Sequence, residues 1–129
     1  MTAADQHALE EGADFTPRFD ANGLVVCVTI EAATREILMV AYMNQFALDK
    51  TIETGLAHYW SRSRKSLWRK GDTSGQTQTV VALRVDCDQD AIVLEVEPGG
   101  DGKACHTGRK SCFYRKYQAG EGGRLVFVE

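Results

Sequence analysis

The chain has 129 residues, 15 basic and 18 acidic, for a net charge of −3; that is the length of about one domain, with no electrostatic push toward nucleic acid. Apolar residues make up 43% and charged residues 26%, a globular profile, and no run approaches the roughly 18 apolar residues of a membrane span. The N-terminus lacks the basic start and apolar core of a secretory signal, so a cytoplasmic location is expected, with the four cysteines as thiols or metal ligands rather than disulfides.

Residues 1–14 are small and acidic and read as a loose tail, leaving 15–129 as the domain. Pro17 biases Thr16 away from helix, and Ala21-Asn22-Gly23 signals a turn. The β-branched run Leu24 to Ile30 reads as a strand. After a turn at Thr34-Arg35-Glu36, a second strand from Ile37 to Met43 completes a hairpin. Cys27, inside Val25-Val26-Cys27-Val28, is expected to be a small core hydrophobe. Asn44 suits a helix N-cap and Gly55 a C-cap. Between them Phe46, Ala47, Leu48, Thr51 and Ile52 recur at helical spacing, which predicts an amphipathic helix with Phe46 and Leu48 in the core.

Leu56 to Trp60 reads as a third strand, running into a loop from Ser61 to Gly75. Five of the ten residues from Ser61 to Lys70 are basic, against an acidic chain. Hydroxyls, guanidinium groups and glycine amides together suit phosphates, and Trp60 and Trp68 offer planes for a base to stack on. A nucleotide site is one reading and a solvated basic loop the other. Arg62, Arg64, Lys70 and Ser74 are the candidates for the phosphates, with Trp60 or Trp68 near the base.

Gln76 to Val85 returns to β character and leads into Asp86-Cys87-Asp88-Gln89-Asp90. Extended backbone would put the three aspartates on one face and Cys87 on the other. Three carboxylates so placed are hard oxygen ligands for Mg²⁺ or Ca²⁺, or else a solvated acidic turn. A strand from Ala91 to Glu97 and a turn at Pro98-Gly99-Gly100-Asp101-Gly102 come next. Ala104-Cys105-His106-Thr107-Gly108-Arg109-Lys110-Ser111-Cys112 then brings two more cysteines into a glycine-rich polar stretch where core burial is less plausible than for Cys27. The spacing C-x17-C-x6-C is not the paired ribbon of a structural zinc site. Three thiolates leave a fourth position for water or for His106, the mark of a catalytic zinc. A turn at Gly120-Glu121-Gly122-Gly123 and a strand from Leu125 to Val128 close the chain. The expected fold is α+β, a single domain of mostly antiparallel sheet with one main helix.

These residues resemble a family. Asp86-Cys87-Asp88-x-Asp90, Ala104-Cys105-His106-Thr107-Gly108-x-x-Ser111-Cys112-Phe113, Tyr59-Trp60-Ser61-Arg62-Ser63-Arg64, Leu67-Trp68-x-Lys70-Gly71 and Thr73-Ser74-Gly75 occur in the order seen in phosphoribosyl-AMP cyclohydrolase. Val40-Ala41-Tyr42-Met43-Asn44 fits as well. Asp72, where the family has Glu, and Gln45-Phe46 depart mildly from the pattern. The chain ends soon after the cysteine motif, so only the cyclohydrolase step is expected, without the pyrophosphohydrolase domain fused to it in some organisms.

The resemblance implies a zinc- and magnesium-dependent hydrolase of histidine biosynthesis. It would open the purine ring of phosphoribosyl-AMP at the N1–C6 bond with a zinc-activated water, giving phosphoribosylformimino-aminoimidazole-carboxamide ribotide. It implies zinc on Cys87, Cys105 and Cys112, and magnesium on Asp86, Asp88 and Asp90. It also implies an intertwined homodimer whose zinc site takes Cys87 from one subunit and Cys105 and Cys112 from the other. His106 is the candidate catalytic residue, since imidazole gains and loses a proton near neutral pH; the alternative is a fourth zinc ligand or an orienting group. His58, before Tyr59-Trp60, is a second candidate, expected at a pocket edge. A zinc nucleobase deaminase would need His-x-Glu and Pro-Cys-x-x-Cys, and the sequence has neither. No nucleic-acid or membrane partner is expected.

Overall fold

A computed structural model describes residues 1–120 and 122–128; Glu121, in the expected turn at 120–123, lies outside them. In chain order the elements are α1 (Ala3–Glu11), β1 (Val25–Glu31), β2 (Ile37–Met43), α2 (Gln45–Thr54), β3 (His58–Ser61), β4 (Ser66–Arg69), β5 (Gln78–Val85), β6 (Ala91–Pro98), β7 (Arg115–Gln118) and β8 (Arg124–Phe127). This is the expected α+β domain.

Four strands make one sheet in the order β2-β1-β6-β5. β1 and β2 form the predicted hairpin, with Val25 opposite Met43 and Val28 opposite Val40, and β5 and β6 form a second antiparallel pair. The two hairpins meet along β1 and β6, which run parallel, Cys27 beside Ile92 and Thr29 beside Leu94. A parallel pair needs a crossover, and α2 with the β3–β4 hairpin fills it.

The period of 2 decides the core. Val25, Cys27 and Thr29 turn inward from β1, with Met39 and Met43 from β2 and Ile92, Leu94 and Val96 from β6, all buried. Ala47 and Leu48 of α2, Ala57, and Tyr59 of β3 join the same cluster. Each large aliphatic side chain so buried is worth about 1.5–3 kcal/mol. Polar side chains in this core pair with one another: Tyr59 donates to Gln78 Oε1 at 2.6 Å, and the Thr29 hydroxyl lies 2.7 Å from the Tyr59 oxygen. Burial pushes the Cys27 thiol up to about 12, with Thr29 pulling the other way. Cys27 is the core hydrophobe expected.

Four local expectations change. The N-terminal stretch read as a loose tail contains α1, started by a reciprocal Thr2–Asp5 capping box, though none of its residues is buried. α2 keeps its predicted caps, Asn44 accepting from the Ala47 N–H at 2.9 Å and Gly55 at φ 73. Phe46, however, is 50% and Ile52 57% exposed. At about 100° per residue the buried stripe of Ala47, Leu48 and Thr51 leaves Phe46 on the far side and Ile52 at the flank. The basic stretch is not a plain loop: Tyr59 pairs with Trp68 and Trp60 with Leu67 in the β3–β4 hairpin, and its arginines hid the strand pattern. The last is the acidic segment, taken up below.

Candidate active site

The cysteine stretch is a tight loop laid against the edge strand β2. Within it the Ala104 N–H donates to the Lys110 carbonyl and the Cys105 N–H to the Arg109 carbonyl, both at 3.0 Å. The Cys112 N–H donates to the Leu38 carbonyl at 2.7 Å, and the buried Ser111 hydroxyl to the Ile37 carbonyl at 2.6 Å. Lys110 pairs with Glu31 at 2.7 Å and Glu36 at 3.2 Å. The loop is thereby fixed to β2 and to the end of β1.

These anchors bring Cys105 and Cys112 within hydrogen-bonding reach of each other. Burial pushes the Cys105 thiol up, but the Thr107 hydroxyl, 3.0 Å away, and the Thr107 amide, Cys112 and Arg109 outweigh it, so its pKa falls below the ordinary value. Cys112 goes the other way, to about 11, through burial and the neighbouring Cys105. One thiol is thus primed to ionise first. Two adjacent soft sulfur donors, one of them with its pKa lowered, suit zinc.

The acidic segment converges by a different route than predicted. Residues 86–90 are not extended; they form a turn between β5 and β6, with the Gln89 N–H donating to the Asp86 carbonyl at 3.1 Å and Gln89 at φ 58. Asp86 Oδ1 accepts from the Asp90 N–H at 3.0 Å and the Ala91 N–H at 3.1 Å, an Asx-type closure that competes with strand. The three carboxylates still meet, with an oxygen of each within 4.8 Å of the others. Asp90 is raised to about 6, first by Asp88 and then by Asp86. At Asp86 burial pushes upward, but hydrogen bonds from Asp90, Ala91 and Asp88 prevail and hold it below the ordinary value. Crowded hard oxygens of this kind fit Mg²⁺.

Cys87, exposed in that turn, does not join Cys105 and Cys112. Among the described residues, Asp86, Asp88 and Asp90 are the one group of three or more His, Cys, Asp or Glu side chains whose ligand atoms come together.

A cleft of about 680 Å³ joins the basic hairpin to the cysteine loop. Arg64, Trp68, Lys70 and Ser74 line it from one side, Cys105 and His106 from the other. Gly71, at φ 91 in this wall, is required there: a Cβ would run into the backbone of Gln76 and Thr77. Trp68 lies 5.5 Å from the Tyr59 ring and is 37% exposed. Lys70 is buried, its Nζ donating to the Ala104 carbonyl at 2.6 Å. Burial lowers its pKa, and Cys112 and Cys105 push it back up.

Other predicted residues sit elsewhere. Trp60 packs against the core, and Arg62 stacks on the Tyr42 ring at 4.0 Å. His58 is buried, its Nδ1 2.8 Å from the Leu56 carbonyl. Thr107 and Arg109, which act on Cys105, escaped the sequence reading. Their place between two candidate ligands was the only available signal.

The model of the phosphoribosyl-AMP cyclohydrolase family matches residues 39–114. A Chelativorans protein named phosphoribosyl-AMP cyclohydrolase is 59% identical over 127 residues, 98% of this chain and 91% of its own. A Bradyrhizobium diazoefficiens protein of the same name is 62% identical over 128 residues, 98% and 90% of the two chains. A third, from Brucella canis, is 60% identical over 125 residues, 97% and 89%.

Proposed function

The chain belongs to the phosphoribosyl-AMP cyclohydrolase family, and from that premise we propose that it hydrolyses phosphoribosyl-AMP between N1 and C6 of the purine in histidine biosynthesis. The product is phosphoribosylformimino-aminoimidazole-carboxamide ribotide. The observation that carries this reading is one cleft lined both by the basic, aromatic hairpin and by Cys105 and His106.

Each wall has a distinct task. Alkylation at N1 leaves C6 of the adenine electron-poor. Arg64 and Ser74 hold phosphate oxygens, and Trp68 gives the base a face to lie on. Cys105, Cys112 and the partner subunit's Cys87 would hold zinc, while Asp86, Asp88 and Asp90 would hold magnesium. A zinc ion held there would supply a water whose pKa is brought to about 7. His106, exposed on the cleft wall, is the residue that moves a proton onto the N1 leaving group as the C6–N1 bond breaks.

A homodimer is supported by two features. Cys87 stands apart from the other two cysteines within one chain. Large apolar side chains also remain exposed, among them Phe46 at 50%, Val81 at 55% and Phe113 at 53%, as expected of surface that a second copy covers.

The test is to incubate zinc-loaded protein and Mg²⁺ with phosphoribosyl-AMP and follow ring opening by ultraviolet absorbance, beside a chelator-treated control. Turnover lost on chelation supports the reading. Absence of turnover with zinc demonstrably bound overturns it.

A further inference from the structure

Gln89 stands between Asp88 and Asp90 and behaves unlike either. It is only 4% exposed, whereas Asp90 is exposed. Its backbone sits at φ 58, in the left-handed region that a residue with a long side chain occupies only where its surroundings hold it. Those surroundings are distant in sequence. Oε1 accepts from the Thr16 N–H at 2.8 Å, and Nε2 donates to the Leu9 and Asp14 carbonyl oxygens, each at 3.1 Å. The Gln89 carbonyl accepts from the Arg18 N–H at 2.7 Å.

Both amide hydrogens are therefore used, and the amide oxygen faces a donor. A flipped amide would turn its oxygen onto two carbonyls, so the orientation is unique. The other hydrogen bonds of the turn, from the Gln89, Asp90 and Ala91 N–H groups to Asp86, are local. The Gln89 side chain is what fastens the turn to the segment from Leu9 to Thr16.

Resting on the assignment of the acidic turn as a divalent-metal site, we propose that Gln89 is a positioning residue for that site. It clamps the turn against the N-terminal segment so that Asp88 and Asp90, on either side of it, present their oxygens together. Mg²⁺ demands near-ideal octahedral geometry, and groups that orient ligands without touching the metal are worth about 10–100-fold in affinity. The N-terminal segment, far from the carboxylates in sequence, thereby contributes to metal binding.

The experiment measures Mg²⁺ affinity by calorimetry on the zinc-loaded full chain and on Gln89→Ala and Gln89→Gly, with zinc content as a control. Both variants should bind Mg²⁺ about tenfold more weakly and retain zinc. Glycine relieves the positive φ, so a similar loss in both assigns the effect to the side chain. An unchanged Mg²⁺ affinity in Gln89→Gly, even with lower thermal stability, would show that Gln89 only holds down the N-terminus and would overturn the proposal. A second measurement needs no variant. Coupling is reciprocal, so saturating Mg²⁺ should slow hydrogen exchange at the Thr16 and Arg18 amides, and unaltered exchange would also overturn it. Failure of the unaltered protein to bind Mg²⁺ would remove the metal assignment and the proposal together, an outcome distinct from failure of the variants alone.

Discussion

Lys70 Nζ and the Ala104 carbonyl oxygen lie 2.6 Å apart, which ties the basic hairpin to the residue just before Cys105. Lys70, a candidate phosphate ligand by sequence, lines the cleft but is buried, with its ammonium donating to the cysteine loop. A hydrogen bond from a charged group is worth about 1.5–3 kcal/mol, and the group left behind would be an unpaired carbonyl.

Lys70→Met should therefore speed zinc loss to a chelator by about tenfold or more, with little change in KM at saturating zinc. A raised KM with unaltered zinc release would mean that Lys70 serves the substrate instead.

The separation of Cys87 from the other thiols makes a complementation prediction. Cys87→Ser and Cys112→Ser should each be inactive, but mixing them under conditions of subunit exchange should restore up to about a quarter of wild-type turnover. Half of the dimers are then mixed, and each carries one intact site of two. No recovery despite demonstrated exchange would count against a shared site.

His106 lines the cleft beside Cys105. His106→Ala should lower kcat by about 10²–10⁴-fold while zinc stays bound. Loss of zinc from the variant would identify it as a ligand, and near-normal kcat would remove it from proton transfer.

The acidic turn predicts a pH dependence. Asp90 is raised to about 6 by Asp88 and Asp86, above the ordinary 3.8. A raised folded value contributes stability that is present below the ordinary value and lost as pH rises through about 6. Asp86, shifted downward, acts in the opposite sense at lower pH. Mg²⁺ bound there would compete with protonation of Asp90, so its stabilising effect should be larger at about pH 7.5 than at about pH 5. Melting temperatures with and without Mg²⁺ check this, and an equal shift at both would contradict it.

Gly71 predicts a fold effect without chemistry. At φ 91, and with a Cβ overlapping the Gln76 and Thr77 backbone, Gly71→Ala should cost about 1–3 kcal/mol or more in denaturant unfolding. An unchanged midpoint would mean that the loop from 71 to 77 shifts freely.

The sequence by itself determined the elements whose signals are local. The β1–β2 hairpin, the caps Asn44 and Gly55 of α2, and β6 follow from β-branched runs, side-chain capping and turn residues, each a matter of a few neighbours. It also placed the chain in its family, because the motifs around Cys87, Cys105 and Cys112 are specific. Only the tertiary structure decided what depends on residues distant in the chain. The parallel contact of β1 with β6 comes from burying Cys27 and Thr29 beside Ile92 and Leu94, which no local pattern encodes. The turn at 86–90 replaced an extended segment because Asp86 caps its own backbone and Gln89 is held by residues 9–18. Lys70, which also lines the cleft, reaches the Ala104 carbonyl because folding laid the cysteine loop over the end of β4. A side chain's role follows from the partner it reaches, and that partner is set by packing.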